Sequence, residues 1–154
     1  MRKKTITSLL VALIAAAVVW NFAGLSSAEK QLSQRQMHPI VAGTLQPSLT
    51  YQKQNKRYTF TFSVKNQTER EQKVTFTSGQ KYDYILYRNG KKLKQFSEGK
   101  MFTQIYEERI LKQGEELSFT ETFPPLPKGQ YTLTWWLADK NWPKAKATIT
   151  FTVQ

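Results

Sequence analysis

From residue 44 onward apolar and polar positions alternate with a period of two, the signature of half-buried strands. Tyr58, Phe60, Phe62 and Val64 fall on one face, with Thr59, Thr61, Ser63 and Lys65 between them. Val74 and Phe76 alternate with Lys73, Thr75 and Thr77, and Leu117 and Phe119 with Ser118 and Thr120. Tyr131, Leu133, Trp135 and Leu137 form one face of a further strand. In the last, Ala147, Ile149, Phe151 and Val153 oppose Lys146, Thr148, Thr150 and Thr152. Strands with one apolar and one Thr-rich face belong to antiparallel sheets packed face to face. Turn signals at Asn66-Gln67, Ser78-Gly79, Asn89-Gly90, Gln113-Gly114 and Pro127-Lys128-Gly129 separate them. About seven to nine short strands so spaced predict an all-β antiparallel sandwich over residues 44–154. A closed barrel of the OB type, which needs only about five strands, is the competing layout. Glu121 takes the inward phase after Leu117 and Phe119, so either the strand bulges there or Glu121 stands at the rim.

Residues 77–104 carry the densest local signal. Tyr82, Tyr84 and Leu86 alternate along a strand, and Asn89-Gly90 supplies the positive φ angles of a two-residue hairpin turn. Lys91, Lys92 and Lys94 alternate with Leu93 on the return and lead to Phe96. Loops at Ser78-Gly79-Gln80 and Ser97-Glu98-Gly99 flank the hairpin, and Phe102-Thr103-Gln104 follows. Turn and core chemistry account for these residues. Asp83, between Tyr82 and Tyr84, is expected to be a buried or half-buried carboxylate bonding backbone N–H groups of the loop at 78–81. The Gln104 amide is expected to satisfy a donor and an acceptor of a loop.

The run SGQ-x-YDY, the NG hairpin and S-x-G-x-x-FTQ together resemble the BsuPI-type intracellular proteinase inhibitor family. Leu111-Lys112-Gln113-Gly114-Glu115 and Gly129-Gln130-Tyr131-Thr132-Leu133 are similar to two later strand motifs of that family. The resemblance spans about residues 45–153. It implies an immunoglobulin-like sandwich and inhibition of a serine protease of the subtilisin type.

The N-terminal segment points elsewhere in the cell. Arg2, Lys3 and Lys4 precede an apolar run from Leu9 to Trp20, and Ser26-Ser27-Ala28 places small residues at a cleavage site. This is the layout of a signal peptide over residues 1–28, with cleavage after Ala28. Residues 6–25 are also long enough for an uncleaved anchor helix across a bilayer of ~30 Å. Either way the domain is expected to be exported, secreted or held outside the cytoplasm. Residues 29–43 are polar and Gln-rich and read as a flexible linker, which contains the single histidine, His38.

The chain carries a formal charge of +12, of which Arg2, Lys3 and Lys4 supply three, leaving +9 beyond residue 28. Such a surface suits solubility, or attraction to an anionic wall polymer or membrane surface. Export argues against nucleic acid as the partner. There is no cysteine, which excludes disulfides, thiolate nucleophiles and Cys-based zinc sites. With no histidine outside the linker, Ser-His-Asp and Cys-His arrangements are excluded too. The expectation is a monomeric binding domain with no catalytic residue, cofactor or metal.

Candidate contact residues lie in two proline-framed loops and on one outer face. Pro124-Pro125-Leu126-Pro127 and Asn141-Trp142-Pro143 are stiffened by proline, which lowers the ordering cost of binding. Leu126, Pro127, Trp142 and Pro143 are the candidates there, against ordinary loop stiffening, and the loop at 97–104 is the next candidate contact. Trp136 shares the phase of Thr132 and Thr134, and Ile85 and Tyr87 are out of phase with Tyr84. Trp136 and Tyr87 therefore belong to an outer face, either as an exposed aromatic patch for another protein or beneath the linker or a loop.

Overall fold

The computed structural model describes residues 44–154. The expected signal or anchor helix over 1–28 and the linker over 29–43, with His38, lie outside the described residues. Nine antiparallel strands follow: β1 (Leu45–Gln54), β2 (Arg57–Asn66), β3 (Gln72–Phe76), β4 (Tyr82–Arg88), β5 (Lys91–Gln95), β6 (Glu107–Leu111), β7 (Glu116–Phe123), β8 (Gly129–Leu137) and β9 (Lys146–Val153). They form a three-stranded sheet β1-β2-β7, a four-stranded sheet β5-β4-β8-β9 and the pair β3-β6.

The apolar phase of each strand meets that of the facing sheet. Phe62 of β2 stacks on Trp135 of β8 with ring centroids 5.8 Å apart. Phe60 lies 5.1 Å from Phe151 of β9, and Tyr84 of β4 lies 5.4 Å from Phe123 of β7. These rings are buried, so the core sits between the two larger sheets and the layout is a sandwich. The Nε1 atom of Trp135 has no hydrogen-bond partner among the described residues. Volume and ring contacts, rather than that N–H, therefore hold Trp135 in place.

The threonine-rich faces have their own work. Thr59 pairs with Thr122 at 3.0 Å and Thr61 with Thr120 at 3.3 Å across β2 and β7, and Thr134 with Thr148 at 3.0 Å across β8 and β9. Hydroxyl pairs of this kind join neighbouring strands on the face that the core leaves open.

Glu121 stands at the rim. β7 keeps an unbroken register with β2, Phe60 opposite Glu121, so there is no bulge. The inward-directed Glu121 carboxylate accepts a 2.6 Å hydrogen bond from Tyr82 of the facing sheet. Burial first, then this bond, pushes the Tyr82 phenol above its ordinary value near 10; burial raises Tyr84 as well. The fold favours the protonated phenols. Their contribution is fully present below about pH 10 and is lost as pH rises through the raised values. Tyr82→Phe is expected to flatten part of the decline in unfolding free energy above about pH 10 in urea titrations. An unchanged slope would show that Tyr82 does not carry the alkaline sensitivity.

The β4–β5 hairpin has the turn its sequence demands. Arg88 lies opposite Lys91, leaving Asn89 and Gly90 as a two-residue loop with φ of 50° and 78°. Asn89 is also bound in place: its N–H donates to Gln130 O at 2.8 Å and its Oδ1 accepts from Gln130 N at 3.0 Å. Gly90→Val is expected to cost about 1 kcal/mol or more, because a β-branched side chain resists positive φ. Equal midpoints in a denaturant titration would remove that reading. On the return strand the register shifts, with Leu86 opposite Lys94 and Tyr87 opposite Lys92. Leu93 is thus the extra residue of a bulge and is exposed, instead of alternating with the lysines around it.

Candidate interaction loops

Asp83 organises one end of the molecule. It is buried on the outer face of β4, and its carboxylate accepts from Tyr84 N at 2.8 Å, Gln95 Nε2 at 2.8 Å, Ser97 N at 3.1 Å and Ser97 Oγ at 2.7 Å. The expected partner was the loop at 78–81; the partner observed is the loop at 97. The reason is register. Ile85 lies opposite Gln95, so Asp83, two residues back on the same face, meets the chain as it leaves β5.

Ser97, Glu98 and Gly99 make a turn closed by Lys100 N donating to Ser97 O at 3.1 Å, with Gly99 at φ 73°. From 100 to 106 the chain runs with neither turn nor bend. The Lys100 ammonium sits 3.3 Å from the centre of the Phe96 ring. Phe102 is half-buried with its ring 6.0 Å from Phe96. Thr103 O accepts from Gly79 N at 2.8 Å, which ties this segment to the loop at 78–80. That loop is itself closed by Gln80 N donating to Ser78 Oγ at 3.2 Å and Gln80 Nε2 to Tyr82 O at 3.2 Å. Beyond it, Glu107 of β6 pairs with Lys81 and, at 2.9 Å, with Arg109; these partners hold its carboxyl below the usual carboxylate range. Gln104 is exposed, and among the described residues its amide ties no loop.

A seven-residue segment without turn or bend is thus fastened at both ends and at Phe102 and Thr103. Between the fastenings the Met101 side chain is 100% exposed. Ile105 and Tyr106 are exposed on the same segment. Sequence reasoning treated Phe102 and Gln104 as structural, ranked the loop at 97–104 behind the proline-framed loops as a contact, and did not single out Met101. The available signal was an apolar residue directly after a Gly-containing turn, in a stretch with no strand period.

The proline-framed loops present no comparable side chain. Leu126 is half-buried and packs against the core, and Pro127 O accepts from Tyr131 OH at 2.7 Å while its ring is exposed. Trp142 also packs against the core and donates from Nε1 to Lys73 O at 2.9 Å, beside an exposed Pro143. Both anchors expected there are engaged within the fold. On the outer face of the four-stranded sheet, Trp136 lies opposite Asp83 and Tyr87 opposite Thr132, with Ile85 and Thr134 paired between them. Trp136, Ile85 and Tyr87 are each half-buried, so they make no open aromatic patch.

Among the described residues no group of three or more His, Cys, Asp or Glu is placed to hold a metal ion. What this end of the sandwich offers is a fixed extended backbone with one apolar tip.

The chain belongs to the BsuPI family, described as intracellular proteinase inhibitor, whose sequence profile matches residues 45–142. The match contains the Asp83 cluster, the segment at 97–106 and the proline-framed loop at 124–127, and ends at Trp142. It is a family of inhibitors rather than of catalysts. No curated protein matches the chain. Among solved structures, a β-glucosidase from Erythrobacter marinus is similar over 70% of this chain at 10% identity and a TM-score of 0.35. The chain spans only 16% of that enzyme's length. The CARDB domain of a Pyrococcus furiosus protein, described in complex with di-metal ions, is 20% identical over 70% of this chain and 92% of its own, with a TM-score of 0.33. A DUF1425 family member from Shewanella is 10% identical over 79% of this chain and 96% of its own, at 0.32. Likenesses this low bear on neither site nor partner.

The family overturns the expected localisation. An intracellular inhibitor conflicts with export, so the reading of residues 1–28 as an export signal is corrected. A basic start, an apolar run and small residues are a compositional pattern that does not by itself fix a destination. The family match points to a protease partner and bears on neither an anionic wall polymer nor a membrane surface.

Proposed function

We propose that this domain is a non-catalytic, immunoglobulin-like module that binds a serine protease of the subtilisin type and blocks its active site. Membership of the inhibitor family supports a protease partner. The observation that carries the reading is the segment at 100–106, which runs without turn or bend and is fastened at several points. A segment already ordered before binding loses little conformational freedom in the complex, and this is how a small domain competes with a flexible substrate. The proposed action is occupancy of the protease's active site.

Titrating the full chain into subtilisin, with a chromogenic peptide as reporter, is expected to abolish activity at one molecule per active site. Full activity at a tenfold excess, with subtilisin, chymotrypsin and trypsin alike, would end the protease reading.

A further inference from the structure

We propose that Met101 is the residue this domain inserts into the primary specificity pocket of its protease, and that the partner's pocket is deep and apolar. The proposal rests on the inhibitor reading above and adds the contact point. A fully exposed methionine gains nothing for the fold, and every neighbouring feature acts to keep it exposed. Gly99 at φ 73° redirects the chain out of the turn, and the Asp83–Ser97 bonds fix where that turn sits. Lys100 is drawn onto the Phe96 ring on one side and Phe102 packs against the same ring on the other. Phe102 is thus turned toward the fold while its neighbour Met101 is left fully exposed.

The tip also has the right chemistry for a pocket. Methionine is apolar, unbranched and flexible, so it fills a deep apolar cavity without a demanding shape. It brings no charge that would have to be desolvated. Ile105, exposed farther along the same segment, adds apolar surface beyond Met101. The same geometry protects the chain from being turned over as substrate. Phe102 and Thr103 are each held to the core, through the Phe96 ring and Gly79 N. The residues following Met101 therefore cannot leave the cleft freely.

The test uses the full chain and subtilisin, with three variants at one position. Met101→Ala is expected to weaken inhibition roughly 30-fold, and Met101→Asp by roughly 100-fold or more, because a buried anchor carries much of an interface. Met101→Lys is expected to create inhibition of trypsin, whose pocket takes a basic residue. Met101 touches no core residue, so thermal midpoints should match the parent, and Leu93→Ser, at the exposed bulge, should inhibit as the parent does. If the parent inhibits and all Met101 variants inhibit equally, the contact proposal is overturned while the inhibitor reading stands. If the parent inhibits nothing, both are overturned. A dimer of the chain that Met101→Asp disrupts, with inhibition unchanged, would overturn the proposal by assigning the tip to self-association.

Discussion

Asn66→Ala is expected to lower the unfolding free energy by about 3 kcal/mol or more, the cost of leaving several buried polar groups unpaired. Asn66 is fully buried where the ends of β2 and β6 and the start of β7 converge. Its Nδ2 donates to Arg70 O at 2.7 Å and to Leu111 O at 2.8 Å, and its Oδ1 accepts from Thr68 N at 2.9 Å and Thr68 Oγ1 at 2.7 Å. Its backbone exchanges bonds with Glu115 O at 2.9 Å and Gly114 N at 2.8 Å. Alanine keeps the backbone pair and loses all four side-chain bonds. Asn66→Asp keeps the size but turns an acceptor toward two carbonyl oxygens, and should be no better. Urea unfolding decides the matter: a loss below about 1 kcal/mol would mean that the backbone alone holds this junction.

Asp83→Ala is expected to cost about 2–3 kcal/mol and, more usefully, to release the segment it fastens. Four acceptor contacts vanish, and Ser97 and Gln95 lose the group that fixes the turn before Met101. The distinctive outcome is local. Amide exchange at 97–104 should rise well beyond that of β8, and a protease that the parent resists should cut within that segment. If stability falls but exchange at 97–104 keeps pace with the rest of the sandwich, the segment is held by Phe102 and Gly79, and the place given to Asp83 is mistaken.

The pattern exposed seven of the nine strands, six by alternation, because two-sided sheets write their burial directly into the chain, and β5 by the Asn89-Gly90 turn before it. It missed two. In β1 the inward phase is Leu45, Pro47, Leu49 and Tyr51, and the proline masks a strand that the sheet edge tolerates. β6 reads Glu-Glu-Arg-Ile-Leu, with ion pairs on both faces and an exposed Ile110, so no apolar period exists to find. The β1–β2 turn was hidden for a different reason. Asn55 and Lys56 take φ of 49° and 64°, and lysine is not a residue that announces such a conformation. At the candidate site the fastening residues were visible as motif positions, but their partners were not. Which loop Asp83 reaches depends on the register of β5, and a side chain's exposure at a loop tip leaves no periodic trace. Met101 could be seen only once Phe102 and Thr103 had been located.

The sheet order governs how the chain reaches this state. Tyr58 pairs across to Phe123, and Phe60 meets Phe151 about 90 residues later. Contacts this distant in sequence make folding slow, on the scale of milliseconds to seconds. On the ribosome, the apolar strand Tyr58-Thr59-Phe60-Thr61-Phe62 emerges long before its partners, with only β1 to cover it. A segment of that composition invites pairing with its counterpart on a neighbouring nascent chain. Lys53, Lys56 and Arg57 precede it closely and Lys65 follows. Like charges so placed act as gatekeepers that hold identical strands apart. Part of the basic excess of this chain thus serves the interval before folding, when its core has nothing else to keep it from the wrong partner.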